Sequence, residues 1–163
     1  MPKASAKTLL FLTGSFPFMP GEEFVETEIN YTATYFDKVF ILPQSASKQE
    51  REIPKNCHVI PYHSIFSKNS DNSKFKSLIE VGKLYAKLFF KFKPYKPYLL
   101  NRRQLYSYCK EVIRKKNCLL NFLKSHQLNQ NEVVFYSYWN NDEVTFLSLC
   151  NLLGYDFKII ARA

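Results

Sequence analysis

Apolar runs too short to be helices alternate in this chain with stretches of helical period, and that alternation limits the folds open to it more than any other feature. The runs are TLLFLT (8–13), KVFILP (38–43), CHVIPY (57–62), EVVFYSYW (132–139) and FKIIARA (157–163). Continuous apolar runs of this length suit strands buried on both faces. Prolines close the second and third. Between the first two, Val25, Ile29, Ala33 and Phe36 fall on one helical face, with Glu22, Glu23 and Glu26 in the first turn. Leu78, Val81, Tyr85, Leu88 and Phe92 form a second stripe. A further helix is expected over 101–125, and a last one from Val144 to Leu153, capped by Asn140 or Asn141 and stopped by Gly154. The order β-α-β-β-α-α-β-α-β predicts α/β class: a Rossmann-like open, mostly parallel sheet with helices on both faces, three layers α/β/α, with strand order 3-2-1-4-5.

At 163 residues the chain is sized for one domain, residues 1–163, with Ser67–Lys74 (SKNSDNSK) as an expected mobile loop. An apolar share of 46% argues against disorder. Cys57, Cys109, Cys118 and Cys150 form no CxxC pair, and His58, His63 and His126 are scattered, so no metal ligand set is expected and the thiols read as reduced. No run approaches the ~18 apolar residues of a membrane span, and the N-terminal apolar stretch is shorter than a signal peptide requires. A cytoplasmic protein is expected.

The charge is uneven. Of the net +9, residues 74–116 carry 13 Lys/Arg against two acids, a local +11, while the remainder sums to −2. YAKLFFKFKPYKPYLLNRR (85–103) interleaves rings and leucines with cations, a mixture suited to an anionic membrane surface. Lys83, Lys87, Lys91, Lys93, Lys96, Arg102 and Arg103 are the expected membrane-facing residues, and the location is then peripheral on the inner face of the cytoplasmic membrane. No nucleic-acid module accompanies the basic segment, and no nucleic-acid partner is expected.

Ligands of open α/β sheets bind beyond the carboxyl ends of the strands where strand order reverses, here between the first and fourth strands. The first strand leaves through GSFPFMPG (14–21), a loop longer and stiffer than a plain strand-to-helix connection needs. Gly14 would admit a ligand to the backbone, and the prolines would hold the loop above the sheet. The fourth strand ends in Ser137, Tyr138 and Trp139. Neither GxGxxG nor a Walker lysine is present, so the usual dinucleotide and ATP signatures are missing. Gly14, Ser15, Phe16, Glu22, Tyr138, Trp139 and Arg162 are the candidate cleft residues. No residue has the company required of a catalytic base.

FLTGSFPFMPGEEFVETEI…FDKVFILP, with VVFYSYWNNDEVTFLSLCNLLGYDFKIIARA at the far end, resembles the amino-terminal half of bacterial family 4 glycosyltransferases of GT-B architecture, used in making capsule and other surface polysaccharides. The resemblance spans both ends and not 48–130. It implies one half of a two-domain retaining, metal-independent enzyme, in which this half holds the acceptor. A separate carboxyl-terminal domain holds the nucleotide-sugar through Glu-x7-Glu, and a His-Gly-x-Asp follows the Arg-Ala that Arg162-Ala163 matches. Neither signature occurs here, so the resemblance implies no cofactor in this chain and little activity for it alone. Its partners would be the donor domain, a nucleotide-sugar bound there, and a sugar acceptor, polysaccharide or lipid-linked. A second reading is a stand-alone basic Rossmann-like domain that docks on anionic membrane or a protein. A third, a small enzyme complete at this length, lacks a catalytic constellation.

Overall fold

The structure, a computed structural model, describes residues 8–47, 50–66, 74–91, 102–138 and 142–162. Five strands form one sheet in the order β3-β2-β1-β4-β5, every neighbouring pair parallel. They are β1 (Thr8–Thr13), β2 (Lys38–Pro43), β3 (Cys57–Val59), β4 (Val133–Ser137) and β5 (Lys158–Ala161). Strand order and parallel sense follow the expectation, and the fold is an open Rossmann-like α/β sheet with helices on both faces. Central β1 is buried at all positions, as its unbroken apolar run requires.

Alternate residues divide the core. Leu10, Leu12, Phe40, Leu42, Val133 and Phe135 face helices α3 (Lys74–Lys91), α4 (Arg102–Ser125) and α5 (Asp142–Leu152). Leu9, Phe11, Val39, Ile41 and Val134 face α1 (Glu23–Thr32), whose Val25 and Ile29 are fully buried. Burying each such side chain is worth about 1.5–3 kcal/mol. Helix α1 is shorter than its apolar stripe suggests. It tightens into a 3₁₀ turn at Ala33–Tyr35, which Asn56 Nδ2 holds by donating to Ala33 O (2.9 Å) and Phe36 O (3.0 Å), leaving Phe36 half-buried beyond the helix. A single-turn helix, α2 (Tyr62–Ile65), follows Pro61. Helix α5 ends as expected, with Gly154 at φ 101°. There Tyr155 N donates to Cys150 O (3.3 Å) and Gly154 N to Asn151 O (3.0 Å), a Schellman pair. Asn140 and Asn141, expected caps, lie outside the described residues, as do Phe92 and most of the loop expected at Ser67–Lys74.

The α3 stripe needs correction. Val81, Leu84 and Leu88 are its buried positions, Tyr85 is half-buried, and Leu78 is 56% exposed. Polar contacts set this rotation. Antiparallel α3 and α4 are joined by Asn117 Nδ2 donating to Ser77 Oγ (3.2 Å) and by Lys116 Nζ donating to Glu80 Oε2 (2.5 Å). Lys116 also donates to Tyr155 Oη (3.2 Å) and is only 2% exposed. One cation of the basic segment is therefore a buried tie between α3, α4 and the turn after α5.

Taking Lys116 to Met strands the Glu80 carboxylate against an apolar neighbour and is expected to cost about 3–5 kcal/mol in urea unfolding, with K116M/E80L recovering most of it. The four cysteines are buried and unpaired in disulfides. Burial pushes the Cys57 thiol up to about 11 and, against the opposing pull of Lys116, the Cys150 thiol up to about 12; burial also raises Cys109. Ellman's reagent at neutral pH is expected to find almost no fast-reacting thiol in the native protein and all four after denaturation.

Candidate functional site

The backbone amides of Gly14, Ser15 and Phe16 point inward to one place as the chain leaves β1, and the Glu22 carboxylate occupies it. Oε1 accepts from Gly14 N (2.9 Å), and Oε2 accepts from Ser15 N and Phe16 N (2.7 Å each). To reach back, Glu22 takes a left-handed conformation, φ 51°, immediately before α1. A Cβ at position 14 would stand 3.2 Å from Glu22 Oε1, so a side chain there would press on the carboxylate. The room foreseen at Gly14 for a ligand is filled by the protein's own acid. Thr13 Oγ1 donates to Phe16 O (2.7 Å), and Ser45 N donates to Gly14 O (2.9 Å). Arg51, its side chain 6% exposed, donates from Nη1 to Gly21 O (2.7 Å) and lies 3.5 Å from Glu26. Ser45 and Arg51, from the segment after β2, are thus tied to the loop after β1.

Phe16 is corrected from a cleft residue to a core residue. It is fully buried among Phe11, Val25 and Ile29, because the turn that brings its N–H to Glu22 sends its ring beneath α1. Ser15 is half-buried, with Oγ 3.5 Å from Pro20 O. Trp139 lies outside the described residues.

The structure brings the remaining candidates together around a residue that sequence reasoning passed over, Glu28. Tyr136 Oη donates to Glu28 Oε1, and Arg162 Nη1 lies 3.3 Å from Glu28 Oε2. Burial, then the bond to Glu28, push the Tyr136 phenol up to about 12, so it remains a donor at neutral pH. The Arg162 guanidinium stands 5.3 Å from the Tyr138 ring centroid, within cation–π range, and Phe24 lies 4.4 Å from the same ring. Phe24 is 44% exposed and the Arg162 side chain 59%, while Glu28 keeps 21%. Arg162 N donates to Ser137 O (3.1 Å), placing the arginine at the carboxyl end of β4.

A signal for Glu28 was present. It is the sixth residue of α1, beyond the first turn where helix-dipole attraction accounts for acids, yet it adjoins the buried Ile29. An acid at the margin of a buried stripe needs a partner. The cluster combines a carboxylate with spare lone pairs, an exposed ring and an accessible guanidinium at the β1/β4 reversal, the set of groups that hydrogen-bonds and stacks on polyhydroxylated or anionic molecules. Among the described residues, no group of His, Cys, Asp and Glu is arranged to hold a metal ion.

Glu22→Gln places an NH₂ against amide donors. It is expected to cost about 1–3 kcal/mol and to speed hydrogen exchange at Gly14, Ser15 and Phe16 well before global unfolding does. Unchanged exchange there would show that the carboxylate does not hold the loop.

No protein-family model, curated protein or solved structure matches this chain.

Proposed function

We propose that this chain is the acceptor-side domain of a retaining glycosyltransferase that moves sugar from a nucleotide-sugar to a surface-polysaccharide or lipid-linked acceptor. The observation carrying the reading is the meeting of Glu28, Tyr138 and Arg162. They come from the two chain ends that resemble family 4 enzymes, and they converge at the strand-order reversal. In this reading the acceptor sugar lies on the exposed face of Phe24, one hydroxyl donates to Glu28, and Arg162 meets an anionic group of the acceptor or donor. Tyr136 fixes the Glu28 carboxylate. The domain positions reactants, and groups outside it complete the transfer.

A stand-alone binding domain, the second reading, draws on the exposed cations of α3 and α4 and needs no sugar. Reading the coding sequence past Ala163 separates the two: the transferase reading predicts His-Gly-x-Asp followed by a second domain. Oligosaccharide titration by protein-observed NMR is expected to shift resonances of Phe24, Glu28, Tyr138 and Arg162. Glu28→Gln should then weaken binding about tenfold, one lost hydrogen bond to a charged group. Sugar-induced shifts confined to other surfaces would remove this cluster from the acceptor site.

A further inference from the structure

The basic segment does not behave as a uniform charged face. Its two acids both have cationic partners: Glu80 receives buried Lys116, and Glu111, at the surface, takes a bidentate pair from Arg114 at 2.6 and 2.8 Å. Several cations are spent inside the fold as well. Lys116 is buried, Arg114 also donates to Phe66 O (2.8 Å), and Lys115 stands 3.9 Å from Glu143 and over the Tyr62 ring. Lys87, expected to face a membrane, is exposed and donates at the surface to Leu152 O (2.7 Å), the end of α5. Lys91, Lys93 and Lys96 have no described side chains.

What remains lies toward the end of α3 and the start of α4. Arg102 and Arg103 are exposed at the start of α4, and Lys83, midway along α3, and Lys110, two turns into α4, are exposed beyond them. Across the two helices runs a ladder of rings: Phe90 against Phe89 (5.8 Å), Phe89 against Tyr85 (6.2 Å), and Tyr85 against Tyr106 (6.3 Å), with Lys110 Nζ 5.9 Å over Tyr106. Phe90, at the outer end of the ladder, is 69% exposed. Tyr106 is 39% and Tyr108 41% exposed, the latter with Asp142 nearby. No helix among the described residues is long and apolar enough to cross a membrane.

We propose that this end of the α3–α4 pair docks on an anionic phospholipid bilayer. Phe90 enters the headgroup layer, and Lys83, Arg102, Arg103 and Lys110 meet lipid phosphates. Charge complementarity selects the occupant. Four cations and a largely exposed aromatic share the described surface of the two helices, and the acids of the helices are already paired, Glu80 with buried Lys116 and surface Glu111 with Arg114. Rings interleaved with cations suit the bilayer interface, where the ring leaves water while each cation near the surface adds its own attraction. A nucleic acid would use the cations but has no use for a phenylalanine held 69% exposed beside them on α3. The inference stands whether or not the cleft accepts a sugar.

Vesicle co-sedimentation of the full chain tests it. Phosphatidylcholine vesicles containing phosphatidylglycerol are expected to bind the protein, pure phosphatidylcholine vesicles far more weakly, and binding should fall with salt. Arg102→Glu with Arg103→Glu should weaken partitioning at least about tenfold. Lys55→Glu with Lys124→Glu, the same change of net charge at exposed sites elsewhere, should change it several-fold at most. Phe90→Ser should weaken binding with the charge intact, and far-ultraviolet circular dichroism checks that each variant folds. Equal binding to neutral vesicles overturns the proposal, as do equal losses from the two charge-reversal pairs. Retention by single-stranded RNA without vesicle binding overturns it too and gives the patch to nucleic acid.

Discussion

Three successive amide N–H groups leave the central strand with no strand partner, and one carboxylate accepts all three. Much of the α1 side of the molecule depends on that satisfaction. Buried donors without acceptors are costly, so the loop after β1 cannot close over the sheet unless something supplies oxygen there. Glu22 supplies it from eight residues downstream and takes a left-handed backbone to do so. Its position fixes where α1 begins, hence which residues α1 turns toward the sheet. Val25 and Ile29 enter the core and Glu28 arrives beside Tyr136. The loop lock just before α1 and Glu28 in the middle of α1 are joined by the helix's rigid spacing of about 1.5 Å per residue.

The sheet was legible because its physics is local. A strand buried on both faces has no amphipathic alternation to disguise it, and β1, β2 and β4 read as nearly unbroken apolar runs. Strand order followed because few connections allow parallel strands to neighbour one another. What stayed hidden depended on contacts between distant residues. The rotation of α3 turns on Glu80 meeting Lys116 and Ser77 meeting Asn117, pairs some 40 positions apart; the periodicity of α3 alone fits either of two adjacent stripes. Phe16 was misplaced for a related reason. A ring in a glycine- and proline-rich loop suggests a ligand, and only the turn imposed by Glu22 shows that it points down.

Glu28 was legible in principle. Glu22, Glu23 and Glu26 read as one first-turn group, and Glu28 lies beyond it, where dipole attraction fades. Once position within the helix is weighed, Glu22, Glu23 and Glu28 separate into three roles. Glu22 holds the loop, Glu23 lies 4.0 Å from Arg51 at the surface, and Glu28 sits in the half-buried cluster. Composition treats them alike because it cannot see depth. The same holds for the basic segment, where Lys116 at 2% exposure and the exposed Lys83 count equally toward net charge yet do different work.

The asymmetry of the two sheet faces explains where the site lies. Among the described residues, α3, α4 and α5, with the short α2, cover the side carrying Leu10, Phe40 and Phe135, whereas α1 is the helix that covers the other. Parallel pairing sets Tyr136 beside Ile160, so both lie on the α1 side. Ile160 is 50% exposed and Lys158 is exposed as well. Tyr136, Tyr138 and Arg162 stand at the border between the strands α1 shelters and the edge it leaves open. A polar cluster there is dry enough for the Glu28–Tyr136 bond to be strong and open enough for Arg162 to reach solvent. Covering β5 with another helix of this chain would bury the guanidinium, and extending α1's shelter would close off Phe24. The uneven covering of the sheet is therefore the condition for an accessible polar cluster at the strand-order reversal.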